Sequence, residues 1–201
     1  IGDATPSVAK NSVIRLLKRV SIPALADRRG AVVKALREMG ATPRFVNGGG
    51  TGSIESTKRE QVVTEVTVGS GFYASGLFDH YRAFKHYPAA GYAVEIVRQP
   101  QPTIYTCSGG GYIASGAVGE DKQPVVYLPE GAALLPLEGA GEVQTPIQYD
   151  GDENLELGDP IFMRHSKAGE LCERFQTLLL VRHGEVVDEI TTYRGDGKCF
   201  L

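Results

Sequence analysis

The segment Gly48-Gly49-Gly50-Thr51-Gly52-Ser53 is where the residue types of this 201-residue chain come closest to doing chemistry. Four glycines occupy the five positions 48 to 52, so the backbone there can approach a ligand closely. Thr51 and Ser53 add hydroxyls beside exposed N–H groups. That combination suits an anion, most often a phosphate. The Gly-Lys-Ser/Thr ending of a Walker A loop is absent, and the spacing is not that of GxGxxG opening a long helix, so a nucleotide is not specifically indicated. A plain flexible turn fits the spacing equally well.

Other reactive residue types carry less. His80 and His86 lie in the aromatic stretch from Phe78 to Tyr87 and read as core or surface residues, while His183-Gly184 reads as a hairpin turn. Cys107 opens a second glycine cluster, Cys107-Ser108-Gly109-Gly110-Gly111-Tyr112. Tight backbone packing is the expectation there, with close approach to a ligand or a partner subunit as the rival. Cys107 has no neighbouring His or basic residue to activate a thiolate, so a small buried residue is expected. Three cysteines at wide spacing, Cys107, Cys172 and Cys199, fit neither a disulfide framework nor a paired zinc site and point to a reducing cytoplasm.

The glycine loop needs elements to position it. From Ser12 to Leu36 apolar residues recur at three-to-four spacing, which predicts two amphipathic helices, the second from about Pro23 to Met39 with Gly40 as its C-cap. Arg44 to Asn47 reads as a short strand running into the loop, and Val62 to Val68 as another strand broken by Gly69-Ser70-Gly71. A helical turn or two is expected between Leu77 and Phe84. Helix, strand, glycine loop is an α/β order, and phosphate sites recur in the late loops of (β/α)₈ barrels. After Pro88 short strand-like runs separated by Gly and Pro take over: Tyr92 to Val97, Thr103 to Cys107, Tyr112 to Ala114, Val125 to Leu128, Glu142 to Thr145, Gly158 to Met163, Phe175 to Val181 and Val186 to Thr191. The expected organisation is a partial (β/α) barrel over 1–88 and a mostly antiparallel β domain over 89–201.

Composition narrows the partners. With 42% hydrophobic residues and a formal charge of -3, the chain has material for packed cores and no general attraction to nucleic acid or an anionic membrane. No run approaches the roughly 18 apolar residues of a membrane span.

The stretch Phe45-Val46-Asn47-Gly48-Gly49-Gly50-Thr51-Gly52-Ser53, followed by Glu65-Val66-Thr67-Val68-Gly69-Ser70-Gly71-Phe72-Tyr73 and Phe78-Asp79, resembles the D-serine dehydratase and D-threonine aldolase-like group of pyridoxal-phosphate enzymes. The tail, from His165 to Phe175 and from Thr192 to Lys198, is similar to its amino acid deaminase/aldolase branch. The resemblance implies the C-terminal part of an alanine-racemase-like (β/α)₈ barrel followed by the β domain. Pyridoxal 5'-phosphate would be held by Gly49, Gly50, Thr51, Gly52 and Ser53, with Tyr73 nearby. The family's usual tyrosine position is held by Gly71, so Tyr73 is offset, and packing in the barrel rim is its alternative role.

The family's Schiff-base lysine lies on an early barrel strand, and nothing before Phe45 resembles that strand, so the catalytic lysine is expected outside this chain. The implied whole is a polypeptide of which this is the C-terminal portion, beginning near the sixth barrel unit and inactive alone. The resemblance also implies a divalent metal, Zn or Mn, held by a His-x-Cys or His-x-Asp pair. Here His165 matches but Lys167 stands at the second position and cannot share a site with a dication while protonated, which leaves His165 and Cys172 as the pair to test. A hydrogen-bonded strand-end role for His165 is the alternative, and Glu170 is a further candidate for proton transfer or ligation. The function implied is a cytoplasmic lyase that deaminates or cleaves D-3-hydroxy amino acids such as D-serine or D-threonine, and a homodimer is expected by family analogy. An amino acid racemase on the same scaffold, or a non-catalytic phosphate-binding module, remains the alternative.

Overall fold

The computed structural model describes residues 2–117 and 119–200. The chain divides into two compact units, one formed by Ile1–Ala74 with Phe78–Tyr87 and the other by Ser75–Leu77 with Pro88–Leu201.

The first unit is led by α1, Val8–Glu38, in which Ser7 caps the N-terminus by accepting the Lys10 N–H (3.4 Å). The two helices expected here are one. Pro23 removes a backbone donor, but its fixed φ is helical, and the good helix formers Ala24, Leu25, Ala26, Ala31, Lys34, Ala35 and Leu36 carry the helix onward. Only Asn11, Ile14 and Val33 of α1 are buried. Asn11 ties down the preceding segment, its side chain accepting the Thr5 N–H (2.9 Å) and donating to the Thr5 carbonyl (2.7 Å).

Two short strands follow, β1 (Asn47–Gly48) and β2 (Glu65–Val66), paired parallel with Asn47 opposite Glu65. They are shorter than the runs 44–47 and 62–68 suggested. Between them lies one turn of helix, α2 (Ile54–Thr57), and Glu60, just beyond it, forms an ion pair with Arg29 of α1. The helical turns expected over 77–84 contract to a 3₁₀ turn at Gly76–Phe78.

The second unit is built on a six-stranded antiparallel sheet. Its strands are β3 (Tyr92–Gln101), β4 (Ile104–Ser108), β5 (Val125–Leu128), β6 (Ala133–Leu134), β7 (Gln144–Gln148) and β8 (Pro160–Arg164), in the spatial order β5-β8-β3-β4-β7-β6. Alternation explains which side chains fill the core: Tyr92, Val94 and Ile96 of β3, Ile147 of β7, and Ile161 and Met163 of β8 point inward, while Phe162 points out. The run expected at 112–114 is not a strand. The short helix α3 (Ala168–Arg174) was not legible, because seven residues containing Gly169 give too little periodicity. A hairpin of β9 (Thr177–Arg182) and β10 (Glu185–Thr191) closes the chain through His183 and Gly184, both at positive φ.

Candidate functional site

β1 and β2 are parallel, so the loops leaving their C-terminal ends, 49–53 and 67–73, emerge side by side. The Asn47 amide joins the two strands, donating to the Glu65 carboxylate and to Thr67 Oγ1 (2.5 Å), and the Thr67 N–H donates to the Gly48 carbonyl (3.2 Å). Gly49 and Gly50 then take φ of 97° and 153°, a path that side-chain-bearing residues adopt only with strain. The loop ends where the Ser53 N–H donates to the Gly50 carbonyl (2.9 Å).

Among the described residues, no protein acceptor takes the N–H of Gly49, Gly50, Thr51 or Gly52. Of the five residues nominated from the sequence, Ser53 alone has its amide committed inside the protein. Thr51 is buried and packs toward the neighbouring loop, its Oγ1 lying 3.4 Å from where a Cβ on Gly71 would stand. The same ideal Cβ would fall 2.3 Å from Val68 Cγ1, so position 71 has no room for the tyrosine that the resemblance led one to look for. Tyr73 is half-buried just after the 3₁₀ turn Ser70–Phe72, and its N–H donates to the Ser70 carbonyl (3.2 Å).

A different tyrosine meets the glycine loop. A Cβ on Gly52 would lie 2.4 Å from Tyr81 Oη and 2.8 Å from its Cζ, so the phenol end rests against the Gly52 backbone. Sequence reasoning missed Tyr81 because it lies far along the chain from Gly52, inside an aromatic stretch that read as packing.

The second unit gathers the other nominated residues around α3. His165 is fully buried, and its Nε2 lies 3.1 Å from Ser75 Oγ. Burial, reinforced by the Arg164 charge and partly opposed by a hydrogen bond to the Ala90 backbone, lowers its pKa to about 4, so the ring is neutral at neutral pH. Lys167 turns toward a neighbouring segment, donating from Nζ to the Ser115 carbonyl (2.5 Å) and to Ser115 Oγ (3.3 Å). Glu170 is buried, and its carboxylate accepts the Lys167 N–H (2.8 Å) as half of a capping box. Burial raises its pKa, and the backbone around it, Lys167 first, partly offsets that. Ser115 is held at its carbonyl and its hydroxyl by Lys167. Cys172 is buried on the same helix. Among the described residues no group of three or more His, Cys, Asp or Glu side chains is placed to hold a metal ion, so the geometry lends the His165–Cys172 pair no support as a metal centre.

The second glycine cluster packs backbone on backbone. A Cβ on Gly111 would lie 2.3 Å from the Gly141 carbonyl carbon, and Thr145 Oγ1 donates to the Gly109 carbonyl (2.5 Å).

A long helix and a pair of parallel strands ending in a glycine loop make up the first unit, and an antiparallel sheet the second. The fold is shared with D-threonine aldolase from Filomicrobium marinum, at a TM-score of 0.75 and 18% identity over 89% of this chain and 48% of that one. D-threo-3-hydroxyaspartate dehydratase from Delftia sp. HT23 follows at 0.56 and 19% identity, over 83% of this chain and 50% of that one. A metal-free variant of a D-threo-3-hydroxyaspartate dehydratase matches at 0.54 and 20% identity, with the same coverage of 83% and 50%. The chain spans about half the length of these solved structures. It matches no protein-family model and no curated protein. Among the described residues no helix is long and apolar enough to cross a membrane.

Proposed function

We propose that this chain holds the phosphate of pyridoxal 5'-phosphate and supplies the β domain of a lyase that dehydrates or cleaves D-3-hydroxy amino acids. The observation that carries the reading is the row of uncommitted amides from Gly49 to Gly52, at the C-terminal end of a parallel strand in a fold shared with a D-threonine aldolase and a D-threo-3-hydroxyaspartate dehydratase. The fit to a phosphate ester is chemical: consecutive N–H groups on a backbone that side chains leave bare can each donate to an anionic oxygen.

In this reading Gly49, Gly50, Thr51 and Gly52 hold the phosphate through backbone N–H groups. Thr51 fixes the loop by packing on Gly71, and Ser53 closes it as a turn. When bound, the cofactor supplies an electron sink for charge developing at the substrate's α-carbon. The loop's part is to fix the cofactor's phosphate end, which sets how its reactive end is presented to the substrate. In the β unit, His165 is neutral and able to accept or donate a hydrogen bond, and Ser75 fixes its ring.

Replacing Thr51 and Gly52 together with bulky residues is expected to abolish cofactor retention by the full-length gene product, read from pyridoxal-phosphate absorbance after desalting. Retention by that double variant would remove the phosphate assignment. Product analysis with single D- and L-enantiomers then sorts the chemistry: ammonia with a keto acid marks deamination, an aldehyde with glycine marks aldol cleavage, and the opposite enantiomer marks racemisation. No turnover of any of them would leave a binding module.

A further inference from the structure

We propose that the outer edge of β9 is an interface with a second copy of this chain, the two β9 strands pairing antiparallel about a two-fold axis at Leu179. Neither the cofactor nor the glycine loop takes part. The hairpin stands by itself: β9 and β10 pair with each other and with no strand of the six-stranded sheet. Among the described residues, no backbone hydrogen bond from outside the hairpin reaches positions 178–182. A two-stranded sheet is marginal in water, and further strands are what stabilise it.

The two edges of this hairpin are built differently. β10 carries Glu185, Asp188 and Glu189, and its register slips between Val186 and Asp188, so that edge is charged and irregular. Carboxylates and bulges are the devices that keep an exposed edge from pairing. β9 has neither. It keeps its register from Thr177 to Arg182, and Leu178, Leu179, Leu180 and Val181 carry no charge. Leu179, Val181 and Val186 share one face by alternation and register, and they are 59, 64 and 60% exposed.

Charge selects the occupant. A two-fold axis perpendicular to a sheet sets a strand against itself in only a few registers. On β9, an axis at Leu179 places that residue on its own copy, Leu178 on Leu180 and Thr177 on Val181, all uncharged pairs. On β10 the central axes fail. An axis at Val187 sets Glu185 on Glu189, and one at Asp188 or Glu189 sets that carboxylate on itself. The chain thus complements itself along β9 and repels itself along β10. The product is a four-stranded sheet with β10 at both rims, so assembly through this edge stops at two copies.

Sedimentation of the full-length gene product is expected to show association at micromolar concentration. Leu179→Lys sets two ammonium groups face to face and should weaken that association by roughly a hundredfold or more. Mixing Leu179→Lys with Leu179→Glu should restore it, because position 179 meets its own copy; a misfolded variant would not be rescued in this way. Val187→Lys, on the opposite edge, should associate as the wild type does. Leu179→Cys should form a disulfide-linked dimer on mild oxidation, read on a non-reducing gel. A monomeric wild type, an affinity unchanged in Leu179→Lys, or Leu179→Cys that does not cross-link would each overturn the proposal.

Discussion

Cys107 has no exposed surface in the middle of β4, and burial pushes its thiol up to about 11. The sign of the consequence is fixed. The unfolded thiol ionises near its ordinary 9, so from pH 9 upward the unfolded chain sheds a proton that the folded chain retains. The stabilisation is therefore complete below pH 9 and is lost as pH rises toward 11, by about 3 kcal/mol in all. Denaturant titrations on either side of that window should show the loss in the wild type and a smaller one in Cys107→Ala. Iodoacetamide at neutral pH should label Cys199, which is partly exposed, before Cys107, as mass spectrometry would read. The buried state of Cys107 was legible from its neighbours, as was the glycine loop, because both are properties of a few consecutive residues. The burial of Glu170 was not, since a carboxylate within a seven-residue helix carries no mark in the sequence of what covers it.

At the scale of elements, α3 is short, and its start rests on one carboxylate. Glu170→Ala removes the acceptor for the Lys167 amide, so a loss of about 1–2 kcal/mol in unfolding free energy is expected. Hydrogen exchange should quicken at that amide. An unchanged exchange rate there would show that the carboxylate does not hold the start of the helix. The large sheet was readable because inward Val94, Ile96, Ile147, Ile161 and Met163 alternate with outward residues in runs bounded by Gly and Pro. Helix α1 was misread at Pro23 because proline signals a boundary in sequence, yet it is compatible with a helix that continues on both sides. The two parallel strands were overextended for the opposite reason: apolar alternation suggests a strand, but only two residues of each find a partner.

At the scale of the whole molecule, α1 stands out for what it leaves uncovered. Val13, Leu16, Leu17 and Val20 recur at helical spacing, and each is more than half exposed. A contiguous apolar stripe of this kind binds other apolar surface. The 201-residue chain produced by itself is therefore expected to bind the dye ANS and to self-associate in light scattering. Replacing Leu16, Leu17 and Val20 with Gln should reduce both without lowering the melting temperature. If dye binding persists in that variant, the stripe is not its source.

The chain enters the second unit twice, first for the three residues Ser75–Leu77 and then for good at Pro88. That brief first visit supplies the hydroxyl beside His165 Nε2, and the Gly76 and Leu77 amides donate to the carbonyls of His165 and Ser166 (3.0 and 3.1 Å). A cut between Tyr87 and Pro88 would consequently strip the β unit of a tripeptide stitched through its interior. Grafting or recombining that unit requires carrying the stitch along, so the modules natural exchange could trade are not the two halves that a single break in the gene would yield.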